Sequence, residues 1–204
     1  MTFKTEQESF WAGEFGDAYA ERNKSDVLLA ANLAFFSRII ARTGRLDSLT
    51  EFGANVGMNL KALRLLLPTA RIAAVEINPS ACAELRKLEG VQVFEGSLLG
   101  QVPPVSDLAF FKGVLIHINP DELKTAYAKL DATAGRFALI AEYYNPTPMT
   151  VPYRGHAERL FKRDFAGEFQ ELHKGWKLID YGFLYRRDPV FPQDDISWFL
   201  MERA

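Results

Sequence analysis

The sequence predicts an α/β fold built on a doubly wound, mainly parallel sheet with helices on both faces. Two features predict it. Five strand-like runs lie between residues 48 and 142, separated mostly by helix-like runs, which is the order of a parallel sheet with helical crossovers. The fifth of these runs, RFALIAE at 136–142, is of continuous apolar character, as expected of a strand covered on both faces. The chain has 204 residues, enough for one compact domain and short for two, so residues 1–204 read as a single domain.

Composition narrows the class. Apolar residues make up 48% and charged residues 25%, ordinary values for a soluble globular protein. The formal net charge is −2, so the whole-molecule field gives nucleic acid or an anionic membrane no attraction. Cys82 is the single cysteine. No internal disulfide can form, and a reducing compartment, the cytoplasm, is expected. Cys82 itself reads as a small buried apolar residue on a helix. No run of about 18 uncharged apolar residues occurs, and the N-terminus carries no signal-peptide pattern. Three histidines and no cysteine cluster give a metal site little support.

Residues 1–25 are an aromatic segment with polar flanks, read as an N-terminal lid. Trp11, Phe15 and Tyr19 stand four apart, which aligns them on one helical face, while Gly13 and Gly16 argue for an interruption. In the functional reading Trp11 and Tyr19 cover a cofactor, and Arg22 or Asn23 reaches its carboxylate; a guanidinium matches two carboxylate oxygens. Ser25 then caps a helix over residues 26–43, stopped by Gly44.

The stretch SLTEFGANVGMN (48–59) organises the rest. A buried strand ends at Glu51 and Phe52, a tight turn follows, and a helix begins at about residue 58 and stops before Pro68. Gly53 and Gly57 turn the chain sharply and leave bare backbone. The helix points free N–H groups and its positive dipole end back at the turn. Such a turn suits an adenosyl-type ligand. A nicotinamide-binding turn would read GxGxxG; here the run is E-x-G-A-N-x-G-x-N, with Ala54 and Asn55 in glycine places and Asn59 in the first turn of the helix. Asn tolerates a left-handed backbone, so the turn survives.

The second strand, ARIAAVEI, ends at Glu76 and Ile77, with Glu76 25 positions after Glu51. A carboxylate there can accept both ribose hydroxyls. Asn78-Pro79 opens a helix to about 88. The third strand, Val91–Phe94, leads to Gly96, Ser97 and Leu98. Pro103-Pro104 stiffens the entry to the fourth strand, Ser106–Phe111, which leads to Lys112 and Gly113. Asn119-Pro120 starts a helix over about 120–133, and the fifth strand closes at Glu142. Ligands in such sheets lie across the carboxyl ends of the strands, which collects Glu51, Glu76, Gly96, Lys112 and Glu142 in one site.

Residues 143–155 read as an ordered but non-regular loop, carrying Tyr143, Tyr144, Asn145, Tyr153 and Arg154. His156 follows, with Arg159, Lys162 and Arg163 on a helix, so that 143–169 forms a substrate loop and helix. Long loops in compact domains are usually functional. This one is locally basic and aromatic, which suits an acceptor with a carboxylate or phosphate on a sugar or ring; a solvated helix face is the alternative. The last two strands, 176–186 and 195–202, pair as an antiparallel hairpin at the sheet edge.

The run E-x-G-A-N-x-G resembles motif I of class I S-adenosylmethionine (SAM) methyltransferases, (E/D)xGxGxG, with Asn55 at the central glycine. KGVLIHINPDEL (112–123) resembles their motif after the fourth strand. Over nearly all of its length, in FWAGEFGDAYAERN, LTEFGANVGMNLKAL, VEINP, AEYYNPTPMTVPYRGHAERLFKRDFAGE and the tail YGFLYRRDPVFPQDDISWFLME, the chain resembles the small SAM-dependent methyltransferases associated with pseudaminic acid biosynthesis. The resemblance implies a Rossmann-like class I methyltransferase fold, with a seven-stranded mostly parallel sheet ending in an antiparallel hairpin. It implies SAM as donor, S-adenosylhomocysteine (SAH) as product and a small-molecule acceptor. The cofactor would lie on Glu51, Gly53, Ala54, Asn55, Asn59, Glu76, Ile77, Gly96, Lys112 and Gly113. Ser97 would meet the adenine amine, Leu98 the ring, and His117 the transferring methyl. His117, His156, Glu142 and Tyr144 are the candidate bases. Arg154 and Arg159 would hold an anionic group, with Tyr143, Asn145 and Tyr153 beside it. The absence of an N/D-P-P-Y run disfavours planar bases and amides as acceptors. Three functions stay open: methylation of an amino or hydroxyl group on a small molecule, methylation of RNA or protein, and SAM binding without turnover.

Overall fold

In the computed structural model, which describes residues 3–22 and 25–204, the sheet grows outward from β1 (Ser48–Phe52), a strand buried along its whole length. Parallel neighbours flank it, β2 (Arg71–Glu76) on one side and β4 (Ser106–Lys112) on the other. β3 (Val91–Glu95) extends the sheet beyond β2, and β5 (Ala134–Glu142) beyond β4, both parallel. β9 (Ile196–Arg203) then pairs antiparallel with β5, and β8 (Trp176–Leu184) antiparallel with β9. The order β3-β2-β1-β4-β5-β9-β8 is the expected seven-stranded, mostly parallel sheet ending in an antiparallel hairpin.

Both faces are covered because side chains alternate across a strand. Leu108 and Phe110 of β4 pack under α3 (Asp26–Thr43) and α4 (Met58–Leu66), with Phe35, Phe36, Leu60 and Leu63. Ala109 and Phe111 of the same strand face α6 (Leu123–Thr133) and α7 (Phe165–Leu172), with Tyr127, Leu130 and Phe169. α5 (Pro79–Leu85) joins β2 to β3 and buries Cys82, as expected. The boundaries of α3 follow from its ends: the Ser25 side chain accepts from the Leu28 N–H, and Gly44, at φ 70, donates to Ile40 O. The aromatic segment forms two helices, α1 (Glu6–Ala12) and α2 (Glu14–Arg22), broken at Gly13.

The segment after β5 departs from expectation. Residues 149–162 are a β-hairpin, β6 (Met149–Tyr153) with β7 (His156–Lys162), and the basic residues Arg159 and Lys162 stand on a strand. Its two-residue turn has Arg154 at φ 49 and Gly155 at φ 86. Positive φ at both central residues is the type I′ geometry that matches strand twist. Helix begins only at Phe165, capped by Asp164, whose side chain accepts from the Gly167 N–H.

Candidate active site

The floor of the site is the turn after β1. Gly53 (φ 72) and Asn55 (φ 47) are both left-handed, so Asn55 adopts the conformation its chemistry permits. A Cβ on Gly53 would stand 2.6 Å from Val114 Cγ2, so the turn packs directly on the segment after β4. Asn55 N–H donates to Glu76 Oε2 (2.7 Å), and Ile77 and Asn78 N–H donate to Glu76 Oε1 (2.8 Å each). Three backbone donors therefore aim the Glu76 carboxylate. It keeps about one of its roughly four acceptor positions and lines a cavity. Burial pushes its pKa up, against those donors.

Two cavities adjoin, sharing Tyr19, Gly53, Asn55 and Gly113. The first encloses about 820 Å³ including its solvent-open mouth, the size of a small-molecule site. Glu76 and Ile77 form one side, Gly96, Ser97, Leu98 and Leu99 the far end, and Val114, His117 and Ile118 the wall. The second holds Glu51, Asn59, Lys112, Asp194 and Asn32. Glu51 is 1% exposed. Its Oε1 accepts from Asn59 Nδ2 (2.6 Å), while Oε2 is buried with no hydrogen-bond partner. Burial pushes Glu51 up to about 8 and Lys112 down, and each charge favours the other.

α1 and α2 roof the first cavity with Thr5, Glu8, Trp11 and Tyr19. Trp11 on α1 meets Phe15 and Tyr19 on α2 edge-on at 5.3 and 5.2 Å, so these contacts cross the break at Gly13 instead of running along one helical face. The roof is tied down at several points. Asn78 Nδ2 donates to Trp11 O (3.2 Å) and Asp17 Oδ1 (3.0 Å), Lys4 pairs with Glu122 at 2.7 Å, and Arg159 pairs with Glu6 at 3.1 Å. Ser97 donates its hydroxyl proton to Glu8 Oε1.

His117 stands where the roof, the wall and the hairpin meet. Its ring centroid is 4.5 Å from Trp11 and 5.0 Å from Tyr153. Nδ1 lies 2.7 Å from Arg159 O. A carbonyl only accepts, so Nδ1 carries the proton and Nε2 presents a lone pair. Burial holds the imidazole pKa down to about 4.

Of the predicted site residues, Glu142, Tyr144 and Asn145 line neither cavity. Glu142 accepts the N–H groups of Val114, Leu115 and Ile116 (2.9, 3.0 and 3.4 Å). It pins the short 3-10 turn Leu115–His117 and lines neither cavity. Tyr144 is 42% exposed, 6.0 Å from the Phe199 ring and away from both cavities. Its backbone bridges Arg163. Asn145 is half-buried and fastens its own loop through Thr147 O at 2.6 Å. Among the others, Tyr143 lies beside Asp194, which together with burial pushes its hydroxyl pKa up. Arg154 is exposed at the hairpin tip, 5.8 Å over the Tyr153 ring. Ala54 and Gly96 line the second and first cavities. Asn23 lies outside the described residues, as do the side chains of Arg22 and His156; the His156 backbone pairs with Tyr153.

Sequence reasoning missed Glu8, Asn78 and Asp194 as site residues. Asn78 was legible only as a helix cap. Asp194 precedes β9, and only the antiparallel placement of β9 beside β5 brings it to the carboxyl ends of the parallel strands. Among the described residues no group of three His, Cys, Asp or Glu side chains could hold a metal ion, and no helix is long and apolar enough to cross a membrane.

No protein-family model and no curated protein matches the sequence. Solved structures do match. The mitomycin 7-O-methyltransferase MmcR superposes with a TM-score of 0.70 over 98% of this chain, at 15% identity. The chain has the Rossmann-like methyltransferase fold. It spans 61% of the length of MmcR. The 1,6-didemethyltoxoflavin-N1-methyltransferase of Burkholderia thailandensis, with SAH bound, matches with a TM-score of 0.70 over 97% of this chain and 87% of its own, at 17% identity. The magnesium protoporphyrin IX methyltransferase of Synechocystis PCC 6803, with SAM bound, matches with a TM-score of 0.66 over all of both chains, at 12% identity. At these identities the likeness is one of fold.

Proposed function

We propose that the protein is a SAM-dependent methyltransferase acting on an amino or hydroxyl group of a small molecule. One observation carries the reading. Glu76, aimed by three backbone donors, faces a nucleoside-sized cavity, while the unpartnered Glu51 Oε2 stands in the adjoining one. A nucleoside joined to an amino-acid tail fits that pair. Glu76 would take the ribose hydroxyls, and Ile77 and Leu98 the purine faces. Glu51 and Asp194 would take the α-ammonium, and Lys112, Asn55 and Asn59 the α-carboxylate.

When bound, SAM supplies an electrophilic methyl on a sulfonium whose charge disappears on transfer. The chain then needs mainly alignment and exclusion of water, and the roof of α1 and α2 serves as the lid. His117 is unprotonated through the neutral range, so Nε2 can accept a hydrogen bond from the acceptor's N–H or O–H. So weak a base orients the nucleophile more than it ionises it. His156 stays the second candidate.

The hairpin carries Tyr153 beside His117, and Arg154 on its exposed tip lies over the Tyr153 ring, which supports an anionic acceptor that stacks on an aromatic ring. Mitomycin and 1,6-didemethyltoxoflavin, named for two neighbours, are small molecules. A sugar-related acceptor of nonulosonate biosynthesis is supported by the sequence resemblance, and the single cysteine supports a cytoplasmic setting.

The test is calorimetry with SAH, followed by a metabolite screen with a labelled methyl donor. Arg154→Ala should leave SAH affinity unchanged and lower turnover of the acceptor that the screen identifies. Normal turnover in that variant removes the anion clamp. SAH binding with no transfer to any acceptor favours a binding protein, and strongly salt-sensitive retention of RNA favours a nucleic-acid enzyme.

A further inference from the structure

We infer that Glu8, on the N-terminal helix α1, supplies the carboxylate that recognises the exocyclic amine of the cofactor's adenine. The inference rests on the cofactor reading above.

The adenine end of the first cavity is bounded by the loop after β3, Gly96 to Leu99. An exocyclic amine presents two N–H donors, and a carboxylate is the strongest side-chain acceptor for them. The loop itself offers only Ser97, whose hydroxyl is already committed: it donates its one proton to Glu8 Oε1 and accepts the Leu99 N–H at 3.1 Å. The carboxylate at this end is therefore delivered by the lid.

Glu8 is 7% exposed and lines the cavity. Its other oxygen, Oε2, accepts the backbone N–H groups of Lys4 (2.5 Å) and Thr5 (3.0 Å), within a capping box in which the Thr5 side chain accepts from Glu8 N–H. These bonds fix which oxygen faces which way. Oε2 is held against α1, and Oε1 is turned to Ser97 with a lone pair left for a ligand. Among the described residues no cation pairs with Glu8, and the Lys4 ammonium goes instead to Glu122. A nearly buried carboxylate without a cation is expensive unless donors surround it, and an adenine amine brings one.

Two consequences follow. A 6-amino purine adds a bond between core and lid that a purine without the amine cannot add. A 6-oxo purine would place its carbonyl against the carboxylate, acceptor against acceptor.

The test compares SAH with its analogue lacking the 6-amino group, by calorimetry on the full chain. Wild type should prefer SAH by about tenfold or more. Glu8→Ala should lose that preference, with SAH affinity falling about tenfold and analogue affinity changing less than twofold. Glu8→Gln keeps the side-chain length and the Thr5 cap, and it should lose the preference too. The backbone donors of Lys4 and Thr5 hold the amide oxygen, which turns its NH2 toward the adenine amine. Equal losses for both ligands would mean that Glu8 only docks the lid, and no loss for either would remove it from the site; both results overturn the inference and leave the cofactor reading standing. A wild type that binds SAH without preference does the same. Failure of wild type to bind SAH at all overturns the cofactor reading, and the inference falls with it.

Discussion

Glu76 is the residue on which the nucleoside reading turns. Glu76→Ala should weaken SAH binding by about 1–3 kcal/mol, because a charged acceptor is lost. It should also lower the melting temperature, since Asn55, Ile77 and Asn78 N–H would lose their partner. An unchanged calorimetric affinity would remove the ribose role. Glu51 governs the response to pH. Its carboxyl ordinarily titrates near 4.5, and burial pushes it up to about 8. Between those values the folded chain keeps a proton that the unfolded chain has released, so stability falls as pH rises. Glu142, pushed up to about 7, acts in the same sense. His117, pushed down from 6.5 to about 4, acts oppositely, and its contribution is lost as pH falls through that lower range. The interval from pH 6.5 to 8 therefore isolates the carboxyls from the histidine. Lys112, which burial pushes down, is present in both proteins compared. Thermal scans without ligand should show a falling melting temperature over that interval, with a smaller fall in Glu51→Gln. An equal fall would show that Glu51 is ionised in the folded chain.

At the scale of elements, the hairpin β6–β7 and the helices α1 and α2 stand outside the seven-stranded sheet. The hairpin turn depends on Gly155 at φ 86. Gly155→Val forces a branched residue into the left-handed region, at about 1–2 kcal/mol, which is a few degrees of melting temperature in a chain this size. Hydrogen exchange over 149–162 should quicken while SAH affinity holds, because neither cavity is lined by β6 or β7. Unaltered exchange would mean that the turn does not secure the hairpin. Its strands hid from sequence reasoning for a physical reason. Pro146, Pro148 and Pro152 read as loop, and Leu160 and Phe161 are buried one after the other, which breaks the period-2 signal. The break between α1 and α2 was legible at Gly13. The anchors of α1, Glu8 on Ser97 and Glu6 on Arg159, join residues 89 and 153 positions apart, beyond any local pattern.

At the scale of the whole molecule, the two cavities span α1 and α2, four parallel strand ends and the start of β9. A ligand that binds there and not to the unfolded chain stabilises all of it. SAH at a hundredfold excess over its Kd adds about 2.7 kcal/mol, or about 5–10 °C in melting temperature for a chain of this length. No shift in a thermal scan with SAH would contradict the cofactor reading directly.

The sequence by itself determined the sheet, its crossover helices, the left-handed turn around Asn55 and the acidic tip of β2, because apolar periodicity, caps and glycine geometry act over a few residues. The tertiary structure alone decided which carboxylates line a cavity. Glu142 turned inward to three backbone N–H groups, while Glu8 and Asp194 arrived from distant segments. A side chain's role is set by the donors folding places around it, and those lie far along the chain.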